Sequence, residues 1–297
     1  MYNLFPQFWL RKPKPSDWGC NMTIGIVGIC DYWQSLIFAS DQMISAQDFS
    51  GDSIAIKIGS IHPHWGMLYS ADDIGCISDI YSDVRSNLDR GTVQTLQQVM
   101  QTVIGEYRRE LTAKKNAFLS RFDLDLASFK REGRSIFGDA IFSDYCGQLE
   151  RMSLGCDFLV GGFDDQKLPH VFVVGNPGEK NSYDSIGFWA IGTGANSALS
   201  NLFFHSFRVS LTLPRAVYHI CESKFMAESA MGVGKATSVV VLTKVEGRIA
   251  TADLSDDFIK EIRNWWEIEG RPRITPTIEK AVADGLADPE KFRRVVF

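Results

Sequence analysis

Thr23 heads the apolar run Met22-Thr-Ile-Gly-Ile-Val-Gly-Ile29, Asp41 closes the run Ser35-Leu-Ile-Phe-Ala-Ser-Asp41, and Lys57 interrupts the isoleucines of Ser53-Ile-Ala-Ile-Lys-Ile58. A threonine that becomes the first residue of a chain can act as nucleophile and base together. Its own α-amine, with an unperturbed pKa of about 8, can take the hydroxyl proton directly or through water. That chemistry requires a free amine, so it depends on what precedes Thr23. If translation begins at Met22, removal of the initiator methionine exposes Thr23; if residues 1–21 are present, the Met22–Thr23 bond must be cut. Gly19-Cys20 is a second candidate junction, since a thiol is also a competent nucleophile there. On position alone, Asp41 reads as a turn acid capping a hairpin strand. Lys57, on the face opposite Ile54, Ile56 and Ile58, reads as a solvated edge lysine.

Other polar stretches suggest less. Gly232-Val-Gly-Lys235 lacks the four-residue gap of a phosphate loop and stands before a strand-like run rather than between strand and helix, which argues against a nucleotide site. The six cysteines are scattered, with no Cys-x-x-Cys and no pairing with the five histidines, so they read as buried free thiols of a reducing compartment rather than a zinc site. The histidines, His62 and His64 among them, and the pair Trp265-Trp266 read as loop and packing residues. No cofactor and no metal are expected.

The segment Met22 to Asp73 resembles the N-terminal part of proteasome β-type subunits, and more closely the small bacterial proteasome-like proteins that begin Met-Thr and carry Ala-Ser-Asp at the end of the second strand. The resemblance runs from about Thr23 to Ala252 and takes in Val160-Gly-Gly-Phe-Asp-Asp165 and Ala190-Ile-Gly-Thr-Gly194. It implies a threonine-type N-terminal-nucleophile (Ntn) hydrolase with Thr23 as nucleophile, assisted by Asp41 and by Lys57 on the third strand. It places Ala71, followed by Asp72, where the family has an oxyanion-hole glycine, and Thr193 where a serine bonds the N-terminal amine. It also places Ala230 and Val233 where proteolytic members carry polar supporting groups, a departure that bears on activity.

The elements that must position these residues follow from periodicity. The runs from Thr23, Ser35, Ser53 and Trp65 read as strands at hairpin spacing. From Asp72 the spacing of Ile74, Ile77, Tyr81, Val84 and Leu88 predicts a helix. Val93 to Leu111 predicts a longer amphipathic helix, Ala117 to Gly138 reads as a helical insertion, and Ser143 to Met152 as another helix. Cys156–Phe163 and His170–Val174 predict two more strands joined by a turn. Phe188–Gly194 follows, then helices from about Asn196 to Phe204 and from Thr212, then strands over Ala236–Thr243 and Gly247–Thr251. A helix carrying Phe258, Ile262, Trp265 and Trp266 closes the pattern. The fold class expected is α+β: a four-layer αββα sandwich of two antiparallel sheets between helical layers, as the resemblance also implies. The domain expected spans 22–270, between an irregular arm over 1–21 and a loosely attached tail over 271–297.

Composition bounds the partners. A net charge of −5 disfavours nucleic acid or an anionic membrane as the main partner, and no run reaches the roughly 20 apolar residues of a membrane span. The short apolar run Asn3 to Leu10 is followed rather than preceded by basic residues, the wrong order for a secretory signal, so a cytoplasmic protein is expected. The expected activity is hydrolysis of peptide or amide bonds. A non-catalytic ring-forming scaffold and a small-molecule Ntn amidase stand as alternatives. A homo-oligomeric ring is expected from the resemblance and from Phe118, Phe122, Leu124, Leu126 and Phe129, too many apolar groups to leave together in water.

Overall fold

The apolar runs become strands wherever alternation leaves one side chain for each of two buried faces. In the computed structural model, which describes residues 23–46, 49–51, 57–71, 75–88, 92–271 and 275–287, the chain opens with the hairpin β1 (Gly25–Cys30) and β2 (Ser35–Asp41). A small ribbon, β3 (Ile44–Ala46) and β4 (Phe49–Gly51), leads to β5 (Ile58–His62) and β6 (Trp65–Ala71). Three helices follow, α1 (Gly75–Asn87), α2 (Leu96–Leu119) and α3 (Leu126–Arg151), and then β7 (Cys156–Phe163), β8 (Pro169–Gly175), β9 (Glu179–Ser182) and β10 (Phe188–Ile191). The chain continues through α4 (Ala195–Phe204), α5 (Leu213–Ala227), β11 (Thr237–Val245), β12 (Arg248–Asp253), α6 (Asp256–Trp265) and α7 (Pro276–Ala287).

Two five-stranded antiparallel sheets result, ordered β10-β1-β2-β11-β12 and β5-β6-β7-β8-β9. Alternation along β1 and β2 sends Val27, Ile29, Leu36 and Phe38 to one face, where they meet Leu68, Leu159, Val171 and Val173 of the second sheet. The opposite residues, Ile26, Cys30, Ile37 and Ala39, pack on α4, α5 and α6 through Leu202, Ile220, Phe225 and Ile262. The outer face of the second sheet carries α1 and α2 through Ile80, Val84, Val103 and Tyr107. The sheets approach closely around Phe38. A Cβ on Gly161 would stand 3.0 Å from its ring and one on Gly66 2.9 Å, so glycine at both positions leaves room for the aromatic side chain.

Several boundaries differ from the sequence expectation. Thr23 lies two residues ahead of β1 rather than at its first position, and Lys57 immediately precedes β5; residues 53–56 lie outside the described residues. The segment 117–138 and the helix expected at Ser143–Met152 belong to the hairpin of α2 and α3, with a non-helical residue at Gly138 (φ 75°) inside α3. Of its apolar residues, Phe129 is buried, Phe118, Phe122, Leu124 and Leu126 are half-buried, and Ile136 and Ile141 are exposed. Leu119, Phe129 and Leu149 form a small core of their own, with Phe118, Leu124, Leu126 and Phe142 packed around it. α3 thus supplies part of the covering face. The tail over 271–297 contains α7, whose described residues 276–284 are exposed. The arm over 1–21 lies outside the described residues. Among the described residues, no helix is long and apolar enough to cross a membrane.

Candidate active site

Antiparallel pairing brings the head of β1 beside the end of β2. Gly25 stands opposite Ser40, and the Asp41 N–H donates to the Ile24 carbonyl at 3.4 Å. Strand β2 runs between β1 and β11, with Thr237 opposite Asp41, so the carboxylate sits at the end of a central strand with neighbours on both sides. Lys57 reaches it from the second sheet.

The three side chains form one buried cluster: Thr23 is 3% exposed, Asp41 0% and Lys57 4%. The Thr23 hydroxyl donates to Asp41 Oδ1 at 2.7 Å and accepts from Lys57 Nζ at 2.5 Å. The same ammonium spans both oxygens of Asp41, at 2.9 and 3.0 Å. Backbone N–H groups complete the carboxylate's shell: Ile24 at 3.0 Å on Oδ1, and Met43 at 3.1 Å and Gly234 at 3.3 Å on Oδ2. Burying two charges costs several kcal/mol each, and only this kind of dense donor set offsets that cost. Lys57 is therefore a buried cation of the cluster and not the solvated edge residue that strand alternation alone suggested. An ammonium fixed beside a hydroxyl oxygen stabilises negative charge developing on that oxygen.

Thr193 lies close to Thr23, but on a different atom from the one the resemblance implied. Its hydroxyl faces the Thr23 carbonyl at 3.4 Å and the Met231 carbonyl at 3.3 Å, and the Gly194 N–H donates to the Thr23 carbonyl at 3.3 Å. Gly192 is held at φ 95°, where a Cβ would lie 2.3 Å from the Thr23 carbonyl oxygen, so this turn accepts only glycine. Ala71 ends β6 opposite Cys156 and packs toward α1 and α2. It takes no part in the hydrogen bonds of Thr23 and Asp41 described above, and Asp72 lies outside the described residues. An open cleft of about 490 Å³ lined by Gly59, Tyr69, Ile77, Tyr81 and Arg85 begins two residues beyond Lys57. Burial, and then the charge of Asp41, push the Tyr69 phenol up, so Tyr69 stays neutral at physiological pH.

A second layer of charge supports the cluster. Lys224, fully buried on α5, donates to Glu228 at 2.6 Å and to the carbonyls of Gly234 at 2.7 Å and Lys235 at 3.0 Å. Arg263 on α6 grips Glu228 with two nitrogens, at 2.6 and 2.8 Å, and also reaches the Lys235 carbonyl. The loop that resembled a phosphate site is thus held by its carbonyls, with its Gly234 N–H turned to Asp41. Burial lowers the Lys224 pKa and Glu228 opposes that shift. The sequence signal was available: Lys224 falls one turn after Ile220, on the apolar face of its helix. Ala230 and Val233 pack into the apolar cluster and bring no polar group to the site.

The buried thiols of Cys30 and Cys221 are poor nucleophiles. Burial raises the thiols of Cys30 and Cys221 to about 12, with the Asp31 charge adding to the effect at Cys30, while Cys20 lies outside the described residues. No family model and no curated protein matches the chain, so the functional reading rests on the geometry around Thr23.

Proposed function

We propose that the protein is a proteasome-like Ntn threonine hydrolase that cleaves peptide or amide bonds once Thr23 is the first residue of the chain. The observation that carries this reading is the Thr23 hydroxyl held between the Lys57 ammonium at 2.5 Å and the Asp41 carboxylate at 2.7 Å. In the freed form the α-amine takes the hydroxyl proton as Oγ1 attacks the amide carbon. The C–N bond then breaks, the leaving amine departs with that proton, and an ester remains on Thr23. Water, giving its proton to the same α-amine, hydrolyses the ester and restores the hydroxyl. Lys57 stabilises the charge on Oγ1, and Asp41 fixes Lys57. The Ala71 N–H is the oxyanion donor that the resemblance suggests. Two antiparallel sheets with helices outside them fit an Ntn-hydrolase sandwich and support the reading.

Uncut, Thr23 has no free α-amine to take the hydroxyl proton, so the uncut chain is expected to be inactive. The apolar packing of Ala230 and Val233 favours a second reading, a non-catalytic scaffold of the same fold. Self-association into a ring belongs to the proposal through the resemblance and through the apolar residues that the α2–α3 hairpin leaves half-buried or exposed, Ile136 and Ile141 among them. The test is a chain translated from Met22, verified by intact mass to begin at Thr23 and assayed on fluorogenic peptide amides, with light scattering in parallel. Hydrolysis that falls about 10³-fold in T23A supports the enzyme. Equal rates in both proteins favour the scaffold, and a monomer at micromolar concentration removes the ring.

A further inference from the structure

Away from Thr23, on the outer helical layer of the first sheet, three potential metal ligands converge. His205 caps the C-terminus of α4, and His219 and Glu222 lie one turn apart on α5. His205 Nε2 stands 3.1 Å and His219 Nδ1 3.2 Å from the same oxygen, Glu222 Oε2, and all three ligand atoms lie within 4.8 Å of one another. The two imidazoles stack with centroids 4.5 Å apart and planes 27° from parallel, and each turns one nitrogen to the Glu222 carboxylate. From this we infer a binding site for a borderline divalent transition ion of the Zn²⁺ type, held by His205, His219 and Glu222.

The separations suit such an ion. Tetrahedral Zn²⁺ with bonds of about 2.0–2.1 Å sets its ligands about 3.3 Å apart, close to the two nitrogen–oxygen distances found here. Two imidazoles with one carboxylate select Zn²⁺, Co²⁺ or Ni²⁺ over Ca²⁺ and Mg²⁺, which need an oxygen shell. Glu222 is 4% exposed and would supply a fixed anionic ligand from behind, while both histidines line an open cleft of about 630 Å³ that gives an ion a way in. Three protein ligands leave a fourth position facing this cleft, where Arg208 and Arg215 also lie, so water or a small anion would complete the coordination. The ion would tie α4 to α5, the two helices that also carry Gly194 and Lys224 toward the Thr23 cluster. The inference is independent of the hydrolase reading.

The full chain, stripped with EDTA and dialysed, is titrated with Zn²⁺ against a chromophoric chelator and separately with Co²⁺ by visible absorption. The expected result is one ion per chain, a tetrahedral Co²⁺ spectrum and a rise in Tm on adding Zn²⁺. H205N, at a partly exposed helix end where folding is least at risk, is expected to lose about 100-fold in affinity and the Tm rise together, and E222Q to behave likewise. Substoichiometric binding, or affinity unchanged in H205N and E222Q, would overturn the site and leave a hydrogen-bonded His–Glu–His cluster only.

Discussion

Replacing Lys57 by methionine keeps most of the unbranched stem, one atom shorter, and removes the ammonium with its ion pair to Asp41 and its hydrogen bond to Thr23. Asp41 is fully buried and would keep the Thr23 hydroxyl and the N–H groups of Ile24, Met43 and Gly234, but lose its direct ion-pair partner. Breaking a buried pair from one side costs roughly 3–5 kcal/mol. The four remaining donors keep the cost near the lower end, about 3 kcal/mol, because hydrogen bonds to a charged acceptor are each worth about 1.5–3 kcal/mol. With a urea m-value of about 3 kcal/mol/M, K57M should lower the unfolding midpoint by about 1 M, as followed by far-UV circular dichroism. D41N added to K57M removes the stranded charge and should recover about 2 kcal/mol, a coupling that salt screens little because the pair is buried. K57M within about 0.5 kcal/mol of wild type, or strictly additive single variants, would refute a buried Lys57–Asp41 pair.

Two further perturbations test neighbouring parts of the site and fold. G192A puts a methyl 2.3 Å from the Thr23 carbonyl at φ 95°, so it should destabilise by about 1–3 kcal/mol and cut any Thr23-dependent hydrolysis more than a change elsewhere on the turn; wild-type stability would contradict the close approach. Burial pulls His170 down, but Asp184 at 2.7 Å and Asp164 at 3.2 Å outweigh it and raise its pKa above 6.5. A raised pKa gives stability that is fully present below the unfolded value and lost as pH climbs through the folded one. D184N should therefore cost more at about pH 5.5 than at about pH 8.5 in urea melts, and an equal cost at both would refute the charge assignment.

How much could be read from the chain follows from which contacts were local. Thr23 and Asp41 meet because a short hairpin pairs the head of one strand with the end of the next, and run lengths alone set that register. Lys57 was placed opposite three isoleucines, but only the stacking of the sheets decides that this face looks inward at Asp41 rather than out to water. The Thr193 hydroxyl was legible as a neighbour of Thr23. Whether it meets the amine or the carbonyl depends on the path of the Gly192–Gly194 turn, which periodicity does not describe. The Lys224–Glu228–Arg263 clamp and the His205–His219–Glu222 cluster join separate helices, so no local pattern carries them. The insertion was read as helical, but its packing was not, because its partner aromatics, Phe137, Phe142 and Tyr145, lie in a stretch that showed little amphipathic pattern.

The hydrolase reading is tested most directly by a peptide electrophile that acylates a threonine hydroxyl, such as a peptidyl β-lactone. It is incubated with chain verified to begin at Thr23, and the adduct is mapped by mass spectrometry. The expected result is a single adduct on Thr23 that forms at least about 100-fold more slowly in K57M. An unmodified Thr23 in a folded chain with a free N-terminus would contradict it.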